Sequence, residues 1–381
     1  MRIAINAVSS TAGGGHSYLL NLARTLPPLA PHQYLLYAPA SVAPSLAPLL
    51  GPAFEIAAGP PPEAGYLSRL LWEQMSLPRE LRRWKADVLI SAGNFCPLRS
   101  PVPVVLMSRN ALYFTPRYLG DLAGRGHWAW AARHLLMTRL AVLSARAARV
   151  NVTPTAAMGE LVRGAAGGSL AAPRTIPFGF QPWPALNGSG PAPPPPFRLL
   201  IVSHYNYFRS FETALEALAR LRAHGHDLRL TLSTRLEPGL RLGGYDTTGA
   251  YRLLHRLGLA DAVTLLGAVP YDELPRLYAS AHAVLCPSYA ESFGQTVLEA
   301  MAMGVPVIAS AIPAHREVAG DAALFFTAGD PEDLARVCAG LLADPALQAA
   351  LHARGRKRAE AFTWRRHFED LLAAAAEAAR S

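Results

Sequence analysis

The residues best suited to do chemistry in this 381-residue chain are two glutamates at positions 291 and 299. Residues 289–310 read YAESFGQTVLEAMAMGVPVIAS and follow the short apolar run AVLCPS, which predicts a strand. Phe293 and Gly294 then open a helix, Glu299 falls within its first two turns, and Gly304 with Pro306 ends it. Glu291 therefore sits in the loop before the helix, and two carboxylates flank one helix start. Amide N–H groups at such a start, aided by the helix dipole, suit an anionic phosphate, and Gly294 lets a ligand approach the backbone. Carboxylates beside them accept hydrogen bonds from sugar hydroxyls. The combination fits a diphosphate with a ribose on one side and a transferable hexose on the other. For any arbitrary pair of acids the ordinary alternative is a solvated or helix-capping role.

The same text resembles the hallmark of the retaining GT-B glycosyltransferases, the fourth family in the usual classification: E-x-F-G, four residues, then E-A-M-A-x-G-x-P-V-I-A-S. The downstream stretch GDAALFFTAGDPEDLA is also similar to that family, and in outline the resemblance covers almost the whole chain. It implies an α/β chain of the GT-B type, with two facing Rossmann-like domains and an interdomain cleft. It further implies that Glu299 holds the ribose hydroxyls and that Glu291 contacts the donor sugar near its reacting face. Ser292, Phe293 and Gly294, with Gln295 and Thr296 beside them, would bind sugar hydroxyls and phosphate oxygens. Gly13, Gly14 and Gly15, between the first strand and first helix, would approach the diphosphate and acceptor from the other lobe, with His16 on the acceptor side.

Two departures from the family pattern alter the expected site. In relatives the strand opening the second domain ends in Gly-Arg, with Lys-Gly a few residues on, and both basic side chains neutralise the donor diphosphate. Here SHYNYFRSF puts His204 at the Arg place and Arg209 at the Lys place, while Ser203 and Ser210 replace the glycines. Arg209 still offers phosphate a bidentate fork; a neutral His204 donates one hydrogen bond and little charge. Glu291, Arg209 and His204 are thus the expected catalytic residues, and Ser203 joins the donor site. Where many relatives carry a His-Asp pair, this chain has Ser108, Arg109 and Asn110, so Arg109 and Asn110 become acceptor-side candidates. The resemblance implies that no protein base is required, because the leaving phosphate can take the acceptor proton. The chain has no Asp-x-Asp triplet and no clustered His or Cys, so neither a metal nor another cofactor is expected beyond a UDP-, GDP- or other nucleotide-sugar donor.

These residues need two α/β lobes to hold them, and 381 residues suffice for two ordinary cores. Half the residues are hydrophobic (51%) and 17% are charged, which excludes disorder for most of the chain. The first lobe, residues 1–180, starts with strand IAINAV, a glycine turn and a helix over about 17–26, and continues with the buried-strand runs ADVLISAG and PVPVVLMS. Residues 181–196, QPWPALNGSGPAPPPP, read as a linker. Over 197–360, FRLLIVS, LRLTLS, AVTLLG and AVLCPS alternate with helices at about 211–224, 251–257 and near Leu274, which predicts a parallel sheet with ligands beyond its strand ends. A last amphipathic helix over about 364–379 could pack on either lobe.

Residues 1–190 hold 17 Lys or Arg against 7 Asp or Glu, a balance of +10, whereas the remainder holds 19 against 20. The basic excess suits anionic lipid headgroups or phosphorylated ligands, or is simply a solvated Arg-rich surface. The run HWAWAARHLLMTRLAVLSARAAR, residues 127–149, reads first as a core helix with its arginines turned to water, and in the alternative as one touching a membrane surface. Nucleic acid is not expected, since no zinc, helix-turn-helix or RNA-recognition pattern occurs. The opening residues lack a secretory pattern, and Cys96, Cys286 and Cys338 lack paired spacing, so a cytoplasmic protein, peripheral at most to the inner membrane face, is expected. The expected activity is retaining transfer of a hexosyl group to a hydroxyl of a sugar, glycan or lipid-linked acceptor in surface polysaccharide or glycolipid synthesis. Epimerisation, phosphorolysis and plain sugar-nucleotide binding are the alternatives.

Overall fold

The computed structural model describes residues 1–10, 14–26, 32–60, 65–181, 183 and 196–380. The chain divides into two compact units, Met1–Gln181 with Phe362–Ser381, and Pro182–Ala361. Of the expected linker, residues 182 and 184–195 lie outside the described residues.

The N-terminal unit is built on seven strands: β1 (Arg2–Asn6), β2 (Gln33–Ala38), β3 (Phe54–Ala58), β4 (Val88–Ser91), β5 (Val104–Met107), β6 (Val150–Thr153) and β7 (Arg174–Thr175). All pair in parallel, in the order β3-β2-β1-β4-β5-β6-β7. ADVLISAG and PVPVVLMS supply β4 and β5, whose residues are all buried because helices cover both faces of a parallel sheet. From β1 the chain moves one way across the sheet to β2 and β3. It then returns past β1 to β4, and from β5 continues in that second direction to β6. Right-handed crossovers therefore put helix Gly14–Thr25 on one face and helices Gly65–Trp84 and Trp128–Ala147 on the other.

The final helix, Trp364–Arg380, packs on the N-terminal unit, against helix Gly14–Thr25 and strands β4 and β5. Its approach is fixed by backbone: the Phe180 amide donates to the Phe362 carbonyl at 3.0 Å, and Phe180 bridges Thr363 in parallel. Aromatic rings then close the contact, with Tyr18 edge-on to Trp364 and His367 at 5.7 and 5.5 Å. His367 is 1% exposed, and burial pushes its pKa down to about 4. As a neutral ring it donates from Nδ1 to the Pro177 carbonyl (2.8 Å) and accepts at Nε2 from the Tyr18 hydroxyl (3.2 Å).

At the carboxyl ends of β1 and β4, where the direction of winding reverses, Glu73 is buried at 3% exposure. Its Oε1 accepts from Asn6 at 3.1 Å, while Oε2 is buried without a partner. Burial pushes its pKa from 4.5 up to about 7, opposed by the Asn6 bond and the Arg69 charge. Because the folded carboxyl keeps its proton up to about pH 7 and the unfolded one releases it near 4.5, the native state binds more protons in that window, and raising the pH through it destabilises the fold. Glu73→Gln is therefore expected to gain stability relative to the parent chain between pH 5 and 8, by an amount on the order of 3 kcal/mol. Denaturant unfolding at both pH values checks this, and parallel pH profiles would contradict it.

The C-terminal unit holds β8 (Phe197–Ile201), β9 (Leu228–Leu232), the antiparallel hairpin β10 (Arg241–Leu242) and β11 (Tyr245–Asp246), β12 (Val263–Leu265), β13 (Ala283–Cys286), β14 (Val307–Ser310) and β15 (Leu324–Phe326). Six of these form a parallel sheet in the order β12-β9-β8-β13-β14-β15. The four expected runs become β8, β9, β12 and β13. Winding reverses between β8 and β13, which opens a crevice beyond their carboxyl ends. The three cysteines are buried and free. No single helix among the described residues is long and apolar enough to cross a membrane.

Candidate active site

The loops after β8 and β13 flank that reversal, and they carry the residues expected to do the chemistry. Asn206 starts a single 3-10 turn, Tyr207–Arg209, by accepting the Arg209 amide at 3.1 Å through Oδ1. Ser210 follows in the left-handed region at φ 49°, and helix Phe211–Ala223 starts from it. A glycine would meet no Cβ penalty there, as the resemblance led one to expect at this place; Ser210 holds the turn under strain. The turn brings Arg209 back over the end of β13.

Beyond β13, the Tyr289 amide donates to the Phe208 carbonyl at 2.9 Å, which stitches the two loops together. Gly294 then takes φ 96° and caps helix Gln295–Ala302. The helix ends in a Schellman turn: the Gly304 amide bonds the Met301 carbonyl and the Val305 amide bonds that of Ala300, with Gly304 at φ 70°. This short helix directs its first-turn amides at the crevice.

Arg209 and Glu291 meet there in an ion pair, with side chains 25% and 11% exposed. Arg209 Nη1 also donates to Ser288 Oγ at 3.4 Å, while its Nε is buried and has no acceptor. Around them lies a shallow, open pocket that includes Ser203, Gly294 and Thr296 in its lining. The Ser203 amide is tied to Ser233 Oγ at 2.8 Å, and the Thr296 hydroxyl donates to the Val202 carbonyl at 3.3 Å, so both sides of the pocket are braced.

His204 stands exposed beside the pair. The protein packed behind it disfavours its imidazolium, and the Arg209 charge adds to this against the opposing pull of Glu291, so its pKa falls below 6.5. His204 is then neutral at pH 7, and Arg209 is the pocket's cation. Glu299 is 8% exposed and accepts the Tyr278 hydroxyl at 2.9 Å. Burial pushes its pKa up to about 7, opposed by hydrogen bonds from Tyr278 and Gln295.

Sequence reasoning missed two members of this site. His315, 1% exposed, lines the pocket and lies directly beneath Gly294, where an added Cβ would come within 3.0 Å of its ring. Its Nδ1 contacts the carbonyl and hydroxyl oxygens of Ser310 at 3.1 Å, and burial lowers its pKa. A histidine five residues past the last motif serine was its only signal. Tyr278, which supports Glu299, had none.

In the N-terminal unit, Gly13 lies outside the described residues, while Gly14 and Gly15 open helix Gly14–Thr25. An added Cβ on Gly15 would meet Ser10 Cα at 2.9 Å, so the turn requires glycine there. His16 is in the helix's first turn, its Nε2 buried without a partner. Arg109 donates to the carbonyls of Ala92 (3.3 Å) and Gly14 (3.4 Å) and lies over the Tyr18 ring at 4.3 Å. Asn110 accepts the Leu112 amide at 3.0 Å and so caps the next turn. The structure thus gathers Gly14, Arg109 and Asn110 at the strand ends of this sheet, with Arg109 and Asn110 each also serving a structural bond.

Two parallel α/β sheets, each wound outward from its first strand, define the GT-B class. The structure of sucrose-phosphate synthase from Thermosynechococcus elongatus matches with a TM-score of 0.73 at 20% identity, over 98% of this chain and all of that one. Anabaena HepE in complex with UDP matches at 0.70 and 19%, again over 98% and 100%. Residues 187–358, within the C-terminal unit, match the family described as glycosyl transferases group 1. The O-antigen chain mannosyltransferase B of Escherichia coli is 36% identical over 141 residues, which is 35% of this chain and 36% of that protein. The chain thus spans little more than a third of the length of that relative.

Proposed function

We propose that this chain transfers a hexosyl group from a nucleoside-diphosphate sugar to a hydroxyl of a sugar, glycan or lipid-linked acceptor, with retention of anomeric configuration. The observation that carries this reading is the buried, unpaired Nε of Arg209, held by Glu291 and Ser288 in a pocket that also takes in the start of helix Gln295–Ala302. A buried donor without an acceptor is costly, and a diphosphate oxygen relieves that cost. HepE, of the same fold, has been solved with UDP bound, which supports a nucleotide ligand here.

In this reading Arg209 and the amides of residues 292–296 hold the diphosphate, Glu299 the ribose and Glu291 the donor sugar. The bond from the anomeric carbon to the phosphate oxygen breaks as the acceptor oxygen bonds that carbon from the same face. The acceptor proton passes to the departing phosphate oxygen. Glu291 favours the positive charge developing on the sugar, and Arg209 favours the negative charge developing on the phosphate. His16, Arg109 and Asn110 serve the acceptor, whose place in surface polysaccharide or glycolipid synthesis is part of the proposal.

A panel of UDP-, GDP- and other nucleotide sugars tests it by thermal shift. The true donor, at about 100 times its Kd, stabilises the protein by about 2.7 kcal/mol, and Arg209→Ala loses most of that gain. Product NMR then reads the anomeric configuration. Conversion of the donor without any acceptor would indicate epimerisation, conversion that consumes phosphate would indicate phosphorolysis, and no stabilisation by any nucleotide sugar would end the proposal.

A further inference from the structure

The N-terminal unit exposes large apolar side chains that its core does not use. On helix Trp128–Ala147, Trp128 is 69% exposed, Leu136 53%, Leu143 44% and Leu135 41%. With 3.6 residues per turn these four fall within an arc of about 100°, and Arg139 and Arg146 fall inside the same arc. The helix contains no Asp or Glu, and none of the unit's ion pairs among the described residues uses its arginines. The opposite side, with Met137, Ala141 and Ala145, belongs to the core. The helix has the expected core side and solvent-facing arginines, and large apolar side chains share that solvent side with them.

Helix Gly65–Trp84 repeats this arrangement. Leu67 (70% exposed), Leu71 (53%) and Met75 (54%) recur at every fourth residue, and Arg79, Arg82 and Arg83 follow toward its end. Leu98, 41% exposed, is held beside them by its amide bond to Gln74 Oε1 at 2.9 Å. The two helices cover the same face of the sheet and are tied through one residue, since Gln74 donates to the Cys96 carbonyl (3.0 Å) and the Cys96 amide donates to Ser144 Oγ (3.3 Å).

Large apolar side chains clustered on a surface mark an interaction site, and the charge around them selects the partner. The unit's basic excess favours an anionic surface, while clustered leucine, methionine and tryptophan side chains gain from somewhere apolar to go. A nucleic acid meets the first requirement and gains nothing from the aliphatic side chains. An anionic bilayer meets both. We propose that helices Gly65–Trp84 and Trp128–Ala147 dock the chain on an anionic membrane, with their apolar side chains entering the headgroup–acyl boundary and their arginines pairing with lipid phosphates. The purpose of this docking rests on the proposed transfer to a lipid-carried acceptor, but the docking itself needs neither donor nor acceptor.

Co-sedimentation of the full chain with phosphatidylcholine vesicles, with and without phosphatidylglycerol, tests the proposal. The chain is expected to bind the phosphatidylglycerol vesicles, less so as salt is raised. Two triple variants, Trp128→Ser/Leu136→Ser/Leu143→Ser and Leu67→Ser/Leu71→Ser/Met75→Ser, are each expected to weaken binding by at least about tenfold. Arg79→Glu/Arg139→Glu is expected to weaken binding to the anionic vesicles and reduce its salt dependence, with an unchanged melting temperature. Absence of binding to anionic vesicles at low salt overturns the proposal, as does undiminished binding by both triple variants. Self-association in lipid-free solution that the triple variants abolish would assign the face to a second copy and overturn it too. A chain without transferase activity would still bind vesicles, so the two readings fail separately.

Discussion

Arg209→Ala is expected to lower kcat by about 10²–10³-fold, the cost of removing one preorganised donor from developing phosphate charge. The pocket's cation disappears, because His204 is held neutral at pH 7. The substitution also leaves Glu291 as an unpaired carboxylate at 11% exposure, which impairs donor binding for a second reason. Arg209→Lys separates the two effects: it keeps a charge near Glu291 and loses the fork, and it is expected to recover donor affinity more than turnover. Glu291→Gln keeps the shape and is expected to lower kcat with little change in KM, whereas Glu299→Ala raises KM. Steady-state kinetics beside melting curves read these outcomes. Parent-like kcat in folded Arg209→Ala would remove Arg209 from the mechanism.

Gly179→Ala is expected to destabilise the N-terminal unit by about 3 kcal/mol, a melting temperature lower by about 5–10 °C. An added Cβ would lie 2.1 Å from the Trp364 nitrogen and 2.5 Å from the Thr363 carbonyl carbon, and backbone atoms cannot rotate away as a side chain can. The final helix must shift from Phe178 and Tyr18, which opens the ring cluster around His367. Earlier proteolytic release of the final helix and earlier loss of Trp364 burial on heating are the readouts. Gly120→Ala is the control: it lies within helix Pro116–Gly124 with nothing within 4 Å of an added Cβ, and it is expected to be neutral or slightly stabilising. Equal melting temperatures for the two variants would show that the Gly179 contact relaxes freely.

The donor-side segment was legible because its signals are local. A strand run, a glycine at a helix start, a glycine and proline at its end and two acids between them depend on neighbours a few residues away, and the structure places helix Gln295–Ala302 and its Schellman turn there. The runs that became β1, β4 and β5 in the first unit and β8, β9, β12 and β13 in the second were readable for the same reason, whereas β2, β3, β6 and β7 were not read. Helix Trp128–Ala147 was readable as a helix but not as to which way it faces, since arginine and leucine alternate too evenly for periodicity to choose a buried side.

The chain's own text determined the strands and helices that flank the site, and which residue types stand at the ends of β8 and β13. It did not determine that Arg209 pairs with Glu291, that His315 lies under Gly294, that Tyr278 supports Glu299, or that Tyr18 and His367 pin the last helix to the first unit. Those partners are separated by between 21 and 349 positions, and strand order decides which of them share a sheet edge. The reversal of winding at β8 and β13 makes two loops neighbours, and only then do burial and charge give Arg209 and Glu291 their properties.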